Sequence, residues 1–185
     1  VVIEAELKAV VRDPEHVMAE LDKRAAGRPE VYQDTYYDDP AGTLAREDRE
    51  LRVRTVHSQD DTRSVLTYKG ARVHASGSKP EHETRVDDPE AVHAMLRGLG
   101  YVPAIAFEKR CRNYSFTAAG RQMLATLVRV PELDGTFLEV ETMADEGELA
   151  AALDDVRQVL AELGIGEQDL TTEQYTDAVA GRRAA

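Results

Sequence analysis

Glu4, Glu6 and Lys8 alternate in VVIEAELKAV, the first ten residues of the chain. A strand projects successive side chains to opposite faces, so these three share one face. Val2 joins them at the start, while Ile3, Ala5, Leu7 and Ala9 fill the other face. Two carboxylates and an ammonium are costly to bury unless they are paired or bound to a metal. Such a face suits a site that holds a divalent cation beside an anionic substrate.

The same spacing recurs along the chain. Arg52 and Arg54 share a face of LRVRTV, and Glu139 and Glu141 share a face of TFLEVET. Glu81, Glu83 and Arg85 alternate, Lys69 follows Leu66 and Thr67, and Lys109, Arg110 and Arg112 crowd one stretch. Charges at alternate positions are also the ordinary way to build the wet face of an antiparallel sheet. Here, however, the charges sort into glutamate pairs on some strands and arginine or lysine on others. If the sheet closes with these faces inward, carboxylates can hold Mg²⁺ or Mn²⁺ while the cations neutralise phosphate oxygens. An empty cavity of that kind is electrostatically expensive, so a phosphorylated ligand is the expected occupant.

The elements that must position these residues are mostly short strands. Residues 1–10, 31–38, 51–56, 64–70, 82–86, 101–116, 125–130 and 136–142 read as strands from their β-formers and alternation. Helices are expected over 14–26, with Asp13 as N-cap and Pro14 at the first position, and over 88–100, where Asp88-Pro89 repeats that start. A third, 146–163, carries Leu149, Leu153, Val156, Leu160 and Leu163 on one stripe, and a short helix follows Thr171 or Thr172. The expected fold class is therefore α+β: a closed eight-stranded antiparallel β-barrel with flanking helices. Polar loops are expected over 57–64 and 72–80. A single domain is expected over 1–180, with 181–185 a frayed tail.

The formal net charge of −12 argues against nonspecific DNA or RNA binding and against an anionic membrane surface. The sequence has no run of about 18 apolar residues and no basic n-region leading into an apolar h-region. One cysteine, Cys111, cannot form an internal disulfide, which fits a reducing cytoplasm. The five histidines show no metal-ligand spacing, and no G-x-x-x-x-G-K-[ST] phosphate loop is present.

Read in order, the pieces resemble a known family. EAELK matches the E-x-E-x-K signature of the CYTH superfamily, the triphosphate tunnel metalloenzymes. D-T-Y-Y (Asp34 to Tyr37), L-R-V-R (Leu51 to Arg54) and L-T-Y-K-G (Leu66 to Gly70) follow in the family's order. So do a charged E-x-E strand, E-K-R-C-R-N-Y (Glu108 to Tyr114), G-T-F-L-E-V-E (Gly135 to Glu141) and the terminal L-G-I…L-T-T-x-x-Y (Leu163 to Tyr175). Within the superfamily the chain looks most like the class IV adenylyl cyclase branch.

The resemblance implies a tunnel barrel that binds a triphosphate with Mg²⁺ or Mn²⁺. Carried over by position, Glu4, Glu6, Glu139 and Glu141 are metal-side carboxylates, and Lys8, Arg52, Arg54 and Lys69 grip phosphates. Glu4, Glu6 and Lys8 are also the catalytic candidates. Arg85 and Arg112 are further phosphate-binding candidates, and Glu83 and Tyr36 further tunnel residues. The pattern departs in three places. The fifth strand reads Glu81, Glu83, Arg85 instead of R-x-E-x-E. In the sixth, parity lets only one of the pairs Lys109/Cys111 and Arg110/Arg112 face inward; the sequence leaves both open, and Arg112 is carried as the cavity residue. Val128 stands where many relatives carry an aspartate.

The leading expectation is a nucleotide cyclase converting ATP to cyclic AMP and pyrophosphate. A triphosphatase acting on inorganic triphosphate, thiamine triphosphate or a nucleoside triphosphate is the alternative. A repurposed binder of a phosphorylated metabolite is the third reading, motivated by the altered strands. Dimerisation follows from the branch resemblance only.

Overall fold

The computed structural model describes residues 2–185. The strands are β1 (Val2–Val11), β2 (Arg28–Asp38), β3 (Glu50–His57), β4 (Thr62–Lys69), β5 (Lys79–Val86), β6 (Val102–Ala118), β7 (Arg121–Arg129) and β8 (Thr136–Asp145). The helices are α1 (Pro14–Asp22), α2 (Thr43–Arg46), α3 (Pro89–Gly98), α4 (Leu149–Glu162) and α5 (Tyr175–Ala184). Every strand is antiparallel to its neighbours in the order β1-β5-β4-β3-β2-β6-β7-β8, and β8 pairs back to β1. The sheet is thus a ring of eight strands with helices flanking it. The β1–β5 joint is the short one, with Ile3 opposite Pro80 and Glu4 opposite Lys79.

Alternation decides what lies on each side of this ring. Ile3, Ala5, Leu7 and Ala9 of β1 and Leu138 and Val140 of β8 face outward, into a core completed by Leu149, Leu153, Val156 and Leu160 of α4. The expected leucine stripe is therefore core. Val53, Tyr37 and Leu96 form a smaller cluster beneath α3. Both Asp-Pro starts behave as N-caps: Asp13 accepts from the His16 amide at 3.1 Å and Asp88 from the Ala91 amide at 3.0 Å.

Several boundaries differ from expectation. The helix expected over 14–26 ends at Asp22, because the chain has to reach β2 by Arg28. The one expected over 146–163 begins as a 3₁₀ turn at Glu146–Glu148. The single turn of α2 was not expected from its sequence; Asp38 builds it by accepting from the Leu44 and Ala45 amides, both at 2.9 Å. Residues 181–184, expected to fray, close α5, and Arg183 binds Glu132 through two hydrogen bonds of 2.7 Å. Among the described residues no helix is long and apolar enough to cross a membrane.

Gly27, at the entry to β2, is a close approach. A Cβ there would stand 2.4 Å from Arg112 Nε and 2.8 Å from the Tyr114 ring. Arg112 can swing aside, but Tyr114 is fully buried and donates its hydroxyl to Asp22 at 2.9 Å. Gly27→Ala should cost about 1–3 kcal/mol of stability, read as a lower urea midpoint. An unchanged midpoint would mean that the ring yields freely.

Candidate active site

Strand register places the inward side chains in rows. Glu139 of β8 lies between Lys8 of β1 and Thr126 of β7; one row along, Glu141 lies between Glu6 and Leu124. Across the ring Arg54 stands opposite Asp34, Arg52 opposite Tyr36 and Thr67, and Lys69 opposite Glu50 and Glu81. Apart from Asp34 and Thr67, these residues line one cavity of about 220 Å³.

The cavity has an acidic corner. Carboxylate oxygens of Glu4, Glu6 and Glu141 lie within 4.8 Å of one another. Glu6 and Glu141 are direct cross-strand partners, an arrangement that is unfavourable for like charges. Burial, then Glu139 and Glu4, push the Glu6 carboxyl up to about 8. Burial with Glu4 and Glu6 holds Glu141 well above the carboxylate range. The fold thus brings together carboxylates that resist ionising together, with oxygen donors of the kind a hard divalent cation takes. Lys69 offsets part of the charge: its ammonium bonds to Glu4 and lies 3.0 Å from Glu81. Burial works against that ammonium, but Glu4, Glu6 and Glu81 hold its pKa well above the usual value.

The opposite wall is cationic. Arg54 donates to Asp34 from Nε at 2.6 Å and from Nη2 at 2.7 Å, and its guanidinium stacks 4.3 Å from the Tyr32 ring centre. Arg52 is buried; Nη2 donates to Thr67 Oγ1 at 3.2 Å, while Nε has no partner among the described residues. Lys109 is buried 3.8 Å from Glu139. Although burial disfavours the Glu139 carboxylate, Lys109 and Lys8 hold its pKa below the usual value. Lys8 donates to the Glu173 carbonyl, and burial pushes its ammonium down against the pull of Glu139.

The structure brings Glu4, Glu6, Lys8, Tyr36, Arg52, Arg54, Lys69, Glu83, Glu139 and Glu141 to this cavity. Tyr36 both lines it and stacks on Phe107 with ring centres 5.7 Å apart. Glu83 accepts from Thr67 Oγ1 at 2.9 Å. Glu139 stands apart from the three converging carboxylates, beside the lysines.

Two expected residues lie elsewhere. Arg112 points outward, donating to Tyr114 Oη at 2.7 Å and lying 3.5 Å from Asp22, because β6 turns Lys109 and Cys111 inward. Arg85 is exposed and outside the cavity lining, since β5 continues past its short joint with β1. Cys111 and Val128 fill an apolar cluster inside the ring with Tyr36, Phe107 and Tyr175. Burial raises the Cys111 thiol to about 12, as expected of an inert side chain. Asp34, Tyr175, Lys79 and Glu50 had no assigned role in the sequence, and Lys109 belonged to one of the two inward alternatives that parity left open. Only the Asp34–Arg54 pairing had a local signal, charge on facing tyrosine-rich and arginine strands.

A second cavity of about 560 Å³ adjoins the first. The two share Tyr36, Glu50, Lys79, Gln174 and Thr176 as lining residues. Tyr37, Leu51, Ala104, Ile105 and Ala180 give the second a more apolar wall.

An eight-stranded ring with flanking helices, lined by segregated carboxylates and cations, defines a class of protein. A family profile for the CYTH domain matches residues 2–175, and the chain belongs to that family. It is 30% identical over 161 residues to adenylate cyclase CyaB of Aeromonas hydrophila, covering 82% of this chain and 76% of the relative. Among solved structures it resembles the PH1819 protein of Pyrococcus horikoshii OT3, with a TM-score of 0.83, 23% identity and coverage of 97% of this chain and 99% of that one. It also resembles HpAC1 from Hippeastrum, described as having a dominant triphosphatase activity, with a TM-score of 0.68, 18% identity and coverage of 98% and 96%. At these identities the two structural likenesses carry the fold.

Proposed function

We propose that this chain is a divalent-metal-dependent enzyme that processes a triphosphate inside a closed barrel, converting ATP to cyclic AMP and pyrophosphate. The observation that carries the reading is the opposition of Glu6 and Glu141 beside Glu4, facing a wall of buried cations. Such a cavity is poorly stable with neither cation nor anion in it. In this reading Glu4, Glu6 and Glu141 hold Mg²⁺ or Mn²⁺, which supplies Lewis-acid polarisation of a phosphoryl oxygen. Glu139 orients Lys8 and Lys109. Lys8, Arg52, Arg54, Lys69 and Lys109 bind the non-bridging oxygens and stabilise charge on the departing pyrophosphate.

Two further observations support the nucleotide. The identity to the Aeromonas cyclase spans most of the chain. The adjoining cavity, larger and more apolar, offers room for an organic group continuous with the phosphates. The reading in favour of a triphosphatase rests on Lys8, whose lowered pKa suits it to orient or deprotonate water at the terminal phosphorus. Its substrate would be inorganic triphosphate, thiamine triphosphate or a nucleoside triphosphate.

Product analysis by phosphorus NMR tests the proposal. With ATP and Mg²⁺ or Mn²⁺, cyclic AMP with pyrophosphate is expected. Orthophosphate with ADP, or with pyrophosphate from inorganic triphosphate, would replace the cyclase by the hydrolase. No turnover of either would overturn both.

A further inference from the structure

The C-terminal segment reaches the charged cavity and ends its approach on Tyr175. Thr171 donates its amide to the Lys8 carbonyl at 2.9 Å, and Leu170 bridges to Ala9 of β1. Thr171, Thr172, Gln174, Tyr175 and Thr176 then line the cavity. Tyr175 opens α5, where Gln174 makes no side-chain cap and the first amides lack intrahelical acceptors. Val179, one turn on, is fully buried and fixes the helix against the apolar cluster.

Tyr175 itself is only 7% exposed. Lys8 Nζ and Lys109 Nζ each lie 4.2 Å from its ring centre. Phe137 meets the ring edge-on at 5.4 Å and 84°. Two ammonium groups so close repel each other, and an aromatic face is one of the few uncharged surfaces that attracts both. The Tyr175 hydroxyl has no hydrogen-bond partner among the described residues. Burying such a donor without an acceptor is unfavourable, and this one faces a cavity built for an anion.

We propose that Tyr175 is a substrate-binding residue, its ring seating Lys8 and Lys109 while its hydroxyl donates to a phosphate oxygen of the bound triphosphate. This rests on the triphosphate reading above. It adds a neutral donor, from an element remote in sequence, to the cationic grip. The competing partner is the Glu139 carboxylate, which adds to burial in raising the hydroxyl pKa, by its charge and as a nearby acceptor, although the pair falls short of hydrogen-bond geometry.

The test is calorimetric titration of the full-length chain with inorganic triphosphate, in EDTA and then with Mg²⁺, comparing wild type with Tyr175→Phe and Tyr175→Leu. Phenylalanine keeps the ring and deletes the donor. It should weaken triphosphate binding by about tenfold or more, the usual worth of a hydrogen bond to a charged group, while leaving the thermal midpoint unchanged. Leucine, which also removes the cation–π face, should weaken binding further. Wild-type affinity in Tyr175→Phe overturns the proposal. Loss of Mg²⁺ affinity in Tyr175→Phe with intact triphosphate binding also overturns it, by placing the hydroxyl on Glu139. A wild-type chain that binds triphosphate under neither condition overturns the triphosphate reading itself, and the Tyr175 role with it.

Discussion

Glu6→Gln should lower metal-dependent kcat/KM on the order of a thousandfold while leaving the chain folded. A divalent ion that polarises a phosphoryl oxygen contributes several kcal/mol to the transition state, and each 1.4 kcal/mol is about tenfold in rate. Glu6 is the carboxylate in the middle of the acidic corner: opposite Glu141 in register and within 4.8 Å of Glu4 and Glu141. Glutamine keeps the size and one oxygen but removes the charge. The substitution also removes a buried like-charge conflict, so the thermal midpoint of the metal-free variant should equal or exceed that of wild type. Added Mg²⁺ or Mn²⁺ should raise the midpoint of wild type and leave that of the variant nearly unmoved. Turnover unaffected by the substitution would remove the metal site from this corner.

Asp34→Asn is expected to be the most damaging single change to stability, at about 3–5 kcal/mol near neutral pH. Asp34 is 1% exposed and holds both arms of the Arg54 guanidinium. Asparagine leaves that guanidinium buried with no counter-charge opposite it. Burial would raise the Asp34 carboxyl, but Arg54 overrides it and lowers the pKa from 3.8 to about 2. A depressed folded-state pKa means that the unfolded chain binds the proton more readily. The stabilisation is therefore present above about pH 3.8 and is lost as pH falls towards about 2, on the order of 2 kcal/mol. Urea unfolding at pH 7 and pH 3 checks both parts: a large gap between wild type and variant at pH 7, narrowing at pH 3. Equal stability at pH 7 would mean that Arg54 finds another partner. Turnover should fall too, since an unanchored Arg54 no longer presents a fixed fork to phosphate.

The order of elements was legible because each obeys a local rule. Asp13-Pro14 and Asp88-Pro89 cap their helices with bonds that need only three or four consecutive residues. The leucines of α4 recur at helical spacing whatever covers them. The sites were legible where parity was unambiguous, as for Glu4, Glu6 and Lys8, Arg52 and Arg54, or Glu139 and Glu141, since apolar neighbours choose the other face. Parity failed at β6, where both alternations carry cations. Lys109 went inward and Arg112 outward because Tyr114, on the Arg112 face, is buried against Asp22 of α1. It failed at Arg85 for another reason: the residue has the right parity, but there β5 is paired with β4 alone, past its joint with β1, and the side chain lies outside the cavity lining.

By itself the sequence determined the strand faces, the helix starts and the set of charged residues available, because these depend on neighbours within a few positions. Register and ring geometry were left to the tertiary structure. Pairing between β1 and β8 sets Glu6 against Glu141 but Lys8 against Glu139, so four similar glutamates divide into a converging trio and one held by lysines. Tyr175 reaches Lys8 and Lys109 only because α5 folds back onto the ring, a contact between residues far apart in the chain that no local spacing encodes.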